Sequence, residues 1–159
     1  MGLPRTFVGF SSTDIHYYRL MQAWKANQNI DFDFTDCQLP GAVGSSDEAY
    51  VKRRLSERIG MAGTYAMLIG DDTKYQRKFV PWEAEVAIEK GCTLIGINLD
   101  ASRAVTDLCP SVLRDVGAIF VPFSPRIVAF ALEDYRGNSR DDWHYKDHIY
   151  KKLDYSLTV

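Results

Sequence analysis

The chain has 159 residues, 46% of them hydrophobic and 13% aromatic, with 19 Lys+Arg against 21 Asp+Glu for a formal charge of −2. A chain of this length and composition makes one globular domain with enough core to stand without disulfides or metals. Disorder, a membrane span (no apolar run approaches the ~18–20 residues needed) and nucleic-acid binding through bulk positive charge are excluded, so neither a membrane nor a nucleic acid is expected as a partner.

Taken in chain order, strand and helix patterns alternate. Residues 1–5 lack the charged-then-apolar pattern of a secretory leader. Residues 6–10, TFVGF, are a short apolar strand that ends in Ser11, Ser12, Thr13 and Asp14, whose side chains are suited to capping a helix. Tyr17, Leu20, Met21 and Trp24 then fall at i, i+3, i+4 and i+7, the spacing of a helix with one buried face. Residues 30–34, IDFDF, alternate apolar and acidic, as in a half-exposed edge strand. Residues 36–46 hold Pro40, Gly41 and Gly44 and read as a loop, after which Ser45 and Glu48 form a capping box. Val51, Leu55 and Ile59 mark the second helix, with Lys52, Arg53, Arg54 and Arg58 on its solvated face.

The runs 64–69 and 93–99 are continuously apolar, as in central strands covered on both sides, and 118–122 is a fifth strand. A helix begins near Pro81, a favoured first-turn residue, and ends before Gly91. Helices are also expected at 102–115, 125–135 and 141–153. Five strands alternating with helices predict an α/β three-layer sandwich, flavodoxin-like, with a five-stranded parallel sheet of order 2-1-3-4-5 and an extra C-terminal helix. The whole chain reads as one domain, its core at about 5–135 and a helical extension at about 136–159.

In such sheets ligands bind at the carboxyl ends of the strands, near the point where strand order reverses. That rule selects Phe10 to Thr13, Thr35 and Asp36, Gly70 to Asp72, and Asn98 with Asp100. The glycine-based phosphate loops GxGxxG and GxxxxGK[ST] and the GxSxG elbow are absent. Ser11, Ser12 and Thr13 before a helix suit a phosphate or a ribose hydroxyl. On the third helix Val80, Ala84, Ala87 and Ile88 share an apolar face, with Glu83 at its border. A carboxylate there, kept ionised by the positive end of the helix dipole, suits a cationic transition state such as the oxocarbenium ion of a breaking glycosidic bond. Cys37, Cys92 and Cys109 are too scattered for a disulfide framework or a metal cluster, so they read as reduced thiols of a cytoplasmic protein. His144 and His148 at i, i+4 lack an evident third ligand, and no metal is expected.

The opening Arg5 to Ser11 with Asp14 resembles the first strand and loop of TIR domains. The block from Lys78 to Gly91, KFVPWEAEVAIEKG, followed by Leu94 to Ile97, resembles the TIR-like domains of the ThsB type, from the bacterial anti-phage system Thoeris. Two positions depart from the family pattern: Phe79 stands where many members have Trp, and Ala84 where a larger aliphatic is usual. The resemblance implies a TIR fold that cleaves the nicotinamide–ribose bond of NAD, with Glu83 as the catalytic glutamate and with Phe10, Ser11, Ser12 and Asp36 around the substrate. It implies NAD as a substrate with no resident cofactor. It further implies a cyclic ADP-ribose-type product that activates an effector protein. Separately, the tail, with Trp143, Tyr150 and Leu153 along one side of a helix, reads either as a helix docked on the domain or as a self-association surface of a homo-oligomer. Competing readings are a non-catalytic TIR-like module for self-association and partner binding, a nucleoside deoxyribosyltransferase-like enzyme, and a flavin-binding flavodoxin relative.

Overall fold

Strand residues of this chain alternate between two apolar faces, and each face is covered. The computed structural model describes residues 5–26, 48–76, 79–137 and 140–155. The strands β1 (Thr6–Gly9), β2 (Thr64–Ile69), β3 (Thr93–Asn98), β4 (Ile119–Pro122) and β5 (Trp143–His144) form one sheet in the order β1-β2-β3-β4-β5. All four pairings are parallel, so each needs a crossover rather than a hairpin. The helices are α1 (Ile15–Ala26), α2 (Glu48–Ala62), α3 (Phe79–Glu89), α4 (Pro125–Asp134) and α5 (Asp147–Lys152). This is the α/β class expected from the sequence, and β1 to β4 are its first, third, fourth and fifth expected strands. The expected strand at 30–34, the loop at 36–46, Cys37 and the Ser45 side of the capping box lie outside the described residues.

The period of two along each strand sorts the core. Phe7, Tyr65, Met67, Ile69, Leu94 and Phe120 pack under Leu55 and Ile59 of α2 and Val80, Ala84 and Ala87 of α3. Val8, Ala66, Leu68, Ile95, Ile97 and Val121 pack under Tyr18 and Met21 of α1, Ile127, Val128 and Leu132 of α4 and Tyr150 of α5. Fully burying one such aliphatic or aromatic side chain stabilises by about 1.5–3 kcal/mol, so two continuous layers account for the fold's cohesion. Gly96 belongs to this packing: a Cβ there would stand 2.5 Å from the Phe120 ring.

Three expectations need correction. No α-helix forms at 102–115. That stretch is irregular apart from a 3-10 turn at Ser111–Leu113, preceded by Pro110, which has no N–H to give a helix. Side chains bond its carbonyls instead: the Asn98 amide donates to the oxygens of Ser102 and Ala104, and the Arg114 guanidinium to those of Thr106 and Cys109. The helix expected at 141–153 is shorter, spanning Asp147–Lys152, and a strand comes first. Trp143 donates its N–H to Ala118 O at 2.9 Å and extends the sheet beyond β4. On α1 the buried face centres on Tyr18 and Met21, while Leu20 is 47% exposed.

Candidate active site

On α3 the residues facing the sheet are Val80, Glu83, Ala84 and Ala87, at i, i+3, i+4 and i+7. Glu83 therefore lies within the apolar stripe rather than at its border, and it is only 4% exposed. Small Ala84 and Ala87 let the helix lie close on the strands. The carboxyl meets the sheet at the last residue of β1. A Cβ built on Gly9 would lie 3.2 Å from Glu83 Oε1 and 2.3 Å from the Tyr65 hydroxyl oxygen. Glycine at position 9 is thus what admits both oxygens to the end of β1. Tyr65 reaches that point from β2, where it pairs in register with Phe7 and stacks on its ring at 6.1 Å.

The expected electrostatics change accordingly. α3 begins at Phe79, so Glu83 is past the first turn, where the helix dipole acts most strongly. Burial pushes its carboxyl well above the ordinary carboxylate range. The Tyr65 phenol is likewise pushed well up, first by burial and then by the neighbouring Glu83 charge. Its hydroxyl is buried and has no hydrogen-bond partner.

The other expected site residues are not all drawn to this point. Ser11 is buried, and its Oγ lies 3.1 Å from Thr13 Oγ1, which donates to Asp72 Oδ1 at 2.8 Å. The hydroxyl-rich turn after β1 is thereby tied to the turn after β2 rather than to the helix: Ser11 makes no side-chain cap, and a 3-10 turn at Ser12–Asp14 precedes α1. Asp14 is buried against Gly70, and burial, then the charge of Asp72, raises its carboxyl from the ordinary range. Phe10 projects to the opposite sheet face and stacks on Tyr18 at 4.7 Å. Ser12 is exposed, and Asp36 lies outside the described residues.

Sequence reasoning passed over Gly9 and Tyr65. A glycine ending a strand pattern is a recognised sign of close approach and could have been followed; an aromatic in a buried strand reads as core whatever its hydroxyl does. The remaining chemistry-bearing side chains lie elsewhere. His144 is on β5 and His148 on α5, beside open hollows of about 490 and 470 Å³ whose linings include no expected site residue. Among the described residues no group of three His, Cys, Asp or Glu side chains could hold a metal. On α2, Lys52 Nζ sits 4.5 Å over the Trp82 ring, next to Glu83 in sequence, and Arg54 pairs with Glu57 at 3.7 Å.

The family profile described as Thoeris protein ThsB, TIR-like domain, matches residues 7–104. The chain belongs to that family. The matched region runs from β1 through β3, so it contains Gly9, Tyr65 and Glu83, and it makes this ThsB-type domain a module of the Thoeris anti-phage defence system. A comparison with curated proteins gave no match. In this ThsB-type domain β4, α4, β5 and α5 follow the matched stretch and complete the sheet and its second apolar layer.

Proposed function

We propose that this ThsB-type domain cleaves the nicotinamide–ribose bond of NAD and converts the ADP-ribose part into a cyclic signal nucleotide that activates an effector protein. The observation that carries the reading is the Glu83 carboxyl, held at the end of β1 in a nearly dry setting. Nicotinamide in NAD is already cationic, so it leaves with the bonding electron pair as a neutral molecule and needs no general acid. Positive charge then grows on the ribose carbon and ring oxygen. A carboxylate facing that charge in a low-dielectric site stabilises it far more than the same group would in water. The ring is then attacked by a nucleophile of the same ADP-ribose, which closes a cycle, or by water, which yields free ADP-ribose.

Burial and activity fit together if the cationic substrate itself ionises Glu83. An opposite charge within ~4–6 Å lowers a carboxyl's pKa, so the pyridinium ribose works against the upward push of burial and favours the anion. In this reading Phe10, Ser11, Ser12 and Asp36 hold the rest of the dinucleotide, NAD is consumed rather than retained, and no metal takes part. The domain works in the cytoplasm as a homo-oligomer. Among the described residues no helix is long and apolar enough to cross a membrane.

The near-complete burial of Glu83 and Ser11 also favours a second reading, a non-catalytic assembly module in which Glu83 is a neutral packing group. Incubation of the purified protein with NAD, followed by chromatography of the nucleotides, separates the two. The enzyme reading expects free nicotinamide together with a cyclic ADP-ribose isomer, both lost in Glu83→Gln. Absence of nicotinamide release, with and without lysate from phage-infected cells, leaves the assembly module.

A further inference from the structure

Tyr65 carries a hydroxyl that packing does not explain. The side chain is completely buried, its ring is satisfied by Phe7, and its oxygen is without a hydrogen-bond partner. An unsatisfied buried hydroxyl is destabilising, a penalty that phenylalanine at the same position would avoid. The oxygen is also not at an arbitrary place: it and Glu83 Oε1 both lie within 3.2 Å of one point, the position a Cβ on Gly9 would take. Of the elements meeting there, β1 contributes uncharged Gly9, β2 contributes Tyr65 and α3 contributes Glu83; Lys52 of α2 is turned to the Trp82 ring.

We propose that Tyr65 is a positioning residue, whose hydroxyl donates to the Glu83 carboxylate once that group ionises and fixes the orientation it presents at the end of β1. This rests on the reading of Glu83 as the catalytic carboxylate. Burial favours the protonated carboxyl, which does not require the donor, and the phenol is without a partner. When the proton leaves, an anion without donors in a dry site would be very unfavourable. The Tyr65 O–H reaches the same point at the end of β1 as Glu83 Oε1, and the bond forms as the two side chains turn toward each other there. A bond from a neutral donor to an anion is stronger than one between neutral groups, so the contact forms when charge appears and lapses when it goes. Gly9 leaves this vertex open to both partners.

The test is Tyr65→Phe, which keeps the ring stack. The first readout needs no substrate: titration of Glu83 in the full chain, followed by carbon NMR of the ¹³C-labelled carboxyl. Loss of a donor to the charged form raises the Glu83 pKa by about one unit; an unchanged or lowered value overturns the proposal. The second readout is catalytic. Tyr65→Phe should lower kcat for NAD cleavage by tenfold or more with KM changed by less than threefold, and should move the acid limb of the kcat profile to higher pH. Wild-type protein that does not cleave NAD removes the enzyme reading while leaving the titration to decide the contact. A raised pKa with unaltered kcat shows that the contact exists and overturns its role in positioning.

Discussion

The Tyr65 hydroxyl and the Glu83 carboxyl approach one point from two different elements, the position that a β-carbon on Gly9 would take. That point lies where a parallel sheet ends, on the α2–α3 face. Its energetics are unusual in that both polar groups are buried, and burial disfavours the ionised form of each.

Stability should reflect this directly. The folded-state pKa of Glu83 is raised above its unfolded value, so its stabilising share is complete below the ordinary carboxylate pKa and is lost as pH rises through the folded one. Each unit of the shift costs about 1.4 kcal/mol once the pH exceeds both values. Glu83→Gln should therefore raise the melting temperature at pH 8 by at least ~2–4 °C while changing it little near pH 4. Calorimetry of both proteins at the two pH values checks this, and equal shifts at both would contradict it.

Catalysis should show the same group in two settings. The pH dependence of kcat/KM reports the free enzyme and that of kcat the substrate complex. With burial raising the Glu83 pKa in the empty site and a bound cation lowering it in the complex, the acid-side inflection of kcat/KM should lie at higher pH than that of kcat. Steady-state NAD cleavage across pH 4–9 gives both curves, and coincident inflections would contradict the proposed ionisation on binding.

Position 9 should not accept a methyl group easily. Gly9→Ala places a carbon against the Tyr65 oxygen and beside Glu83 Oε1. Forced overpacking of this kind costs about 1–3 kcal/mol. Because the tightest clash is with the hydroxyl, the double variant Gly9→Ala/Tyr65→Phe should regain part of that loss, a non-additive pair in a denaturation cycle. Strict additivity would mean that the two residues do not share the space.

At the other end of the chain, Tyr150 of α5 is wholly buried in the α1–α4 layer, with Arg103 over its ring at 5.5 Å and a hydroxyl that has no partner. Tyr150→Ala should destabilise by about 3–5 kcal/mol, as truncations of large buried aromatics do. Tyr150→Phe should be neutral or slightly stabilising, since it removes only an unsatisfied group. Urea midpoints measure both.

What the sequence disclosed follows from which forces are local. The continuous apolar runs of β2 and β3 and the four-residue spacing of Leu55 and Ile59 are local patterns, so they identified a layered α/β fold. The Lys78–Gly91 block resembles the family to which the chain belongs, and it pointed to Glu83 as the candidate carboxylate. Legibility failed where long-range contacts decide. Asn98 and Arg114 bond carbonyls of a stretch whose composition suggests a helix, and Trp143 becomes a strand only because β4 offers an open edge. Likewise Glu83 was expected at a wet, dipole-assisted border; its dry setting is fixed by the sheet onto which Ala84 and Ala87 let it settle.

β5 carries a wider implication. Its two residues, Trp143 and His144, are both exposed, yet they occupy the flank of β4 that another chain's strand would otherwise reach. So short a margin offers little template for uncontrolled stacking of copies through their backbones. Contact between copies along this edge would then run through side-chain surfaces, which part readily, rather than through a growing backbone ribbon.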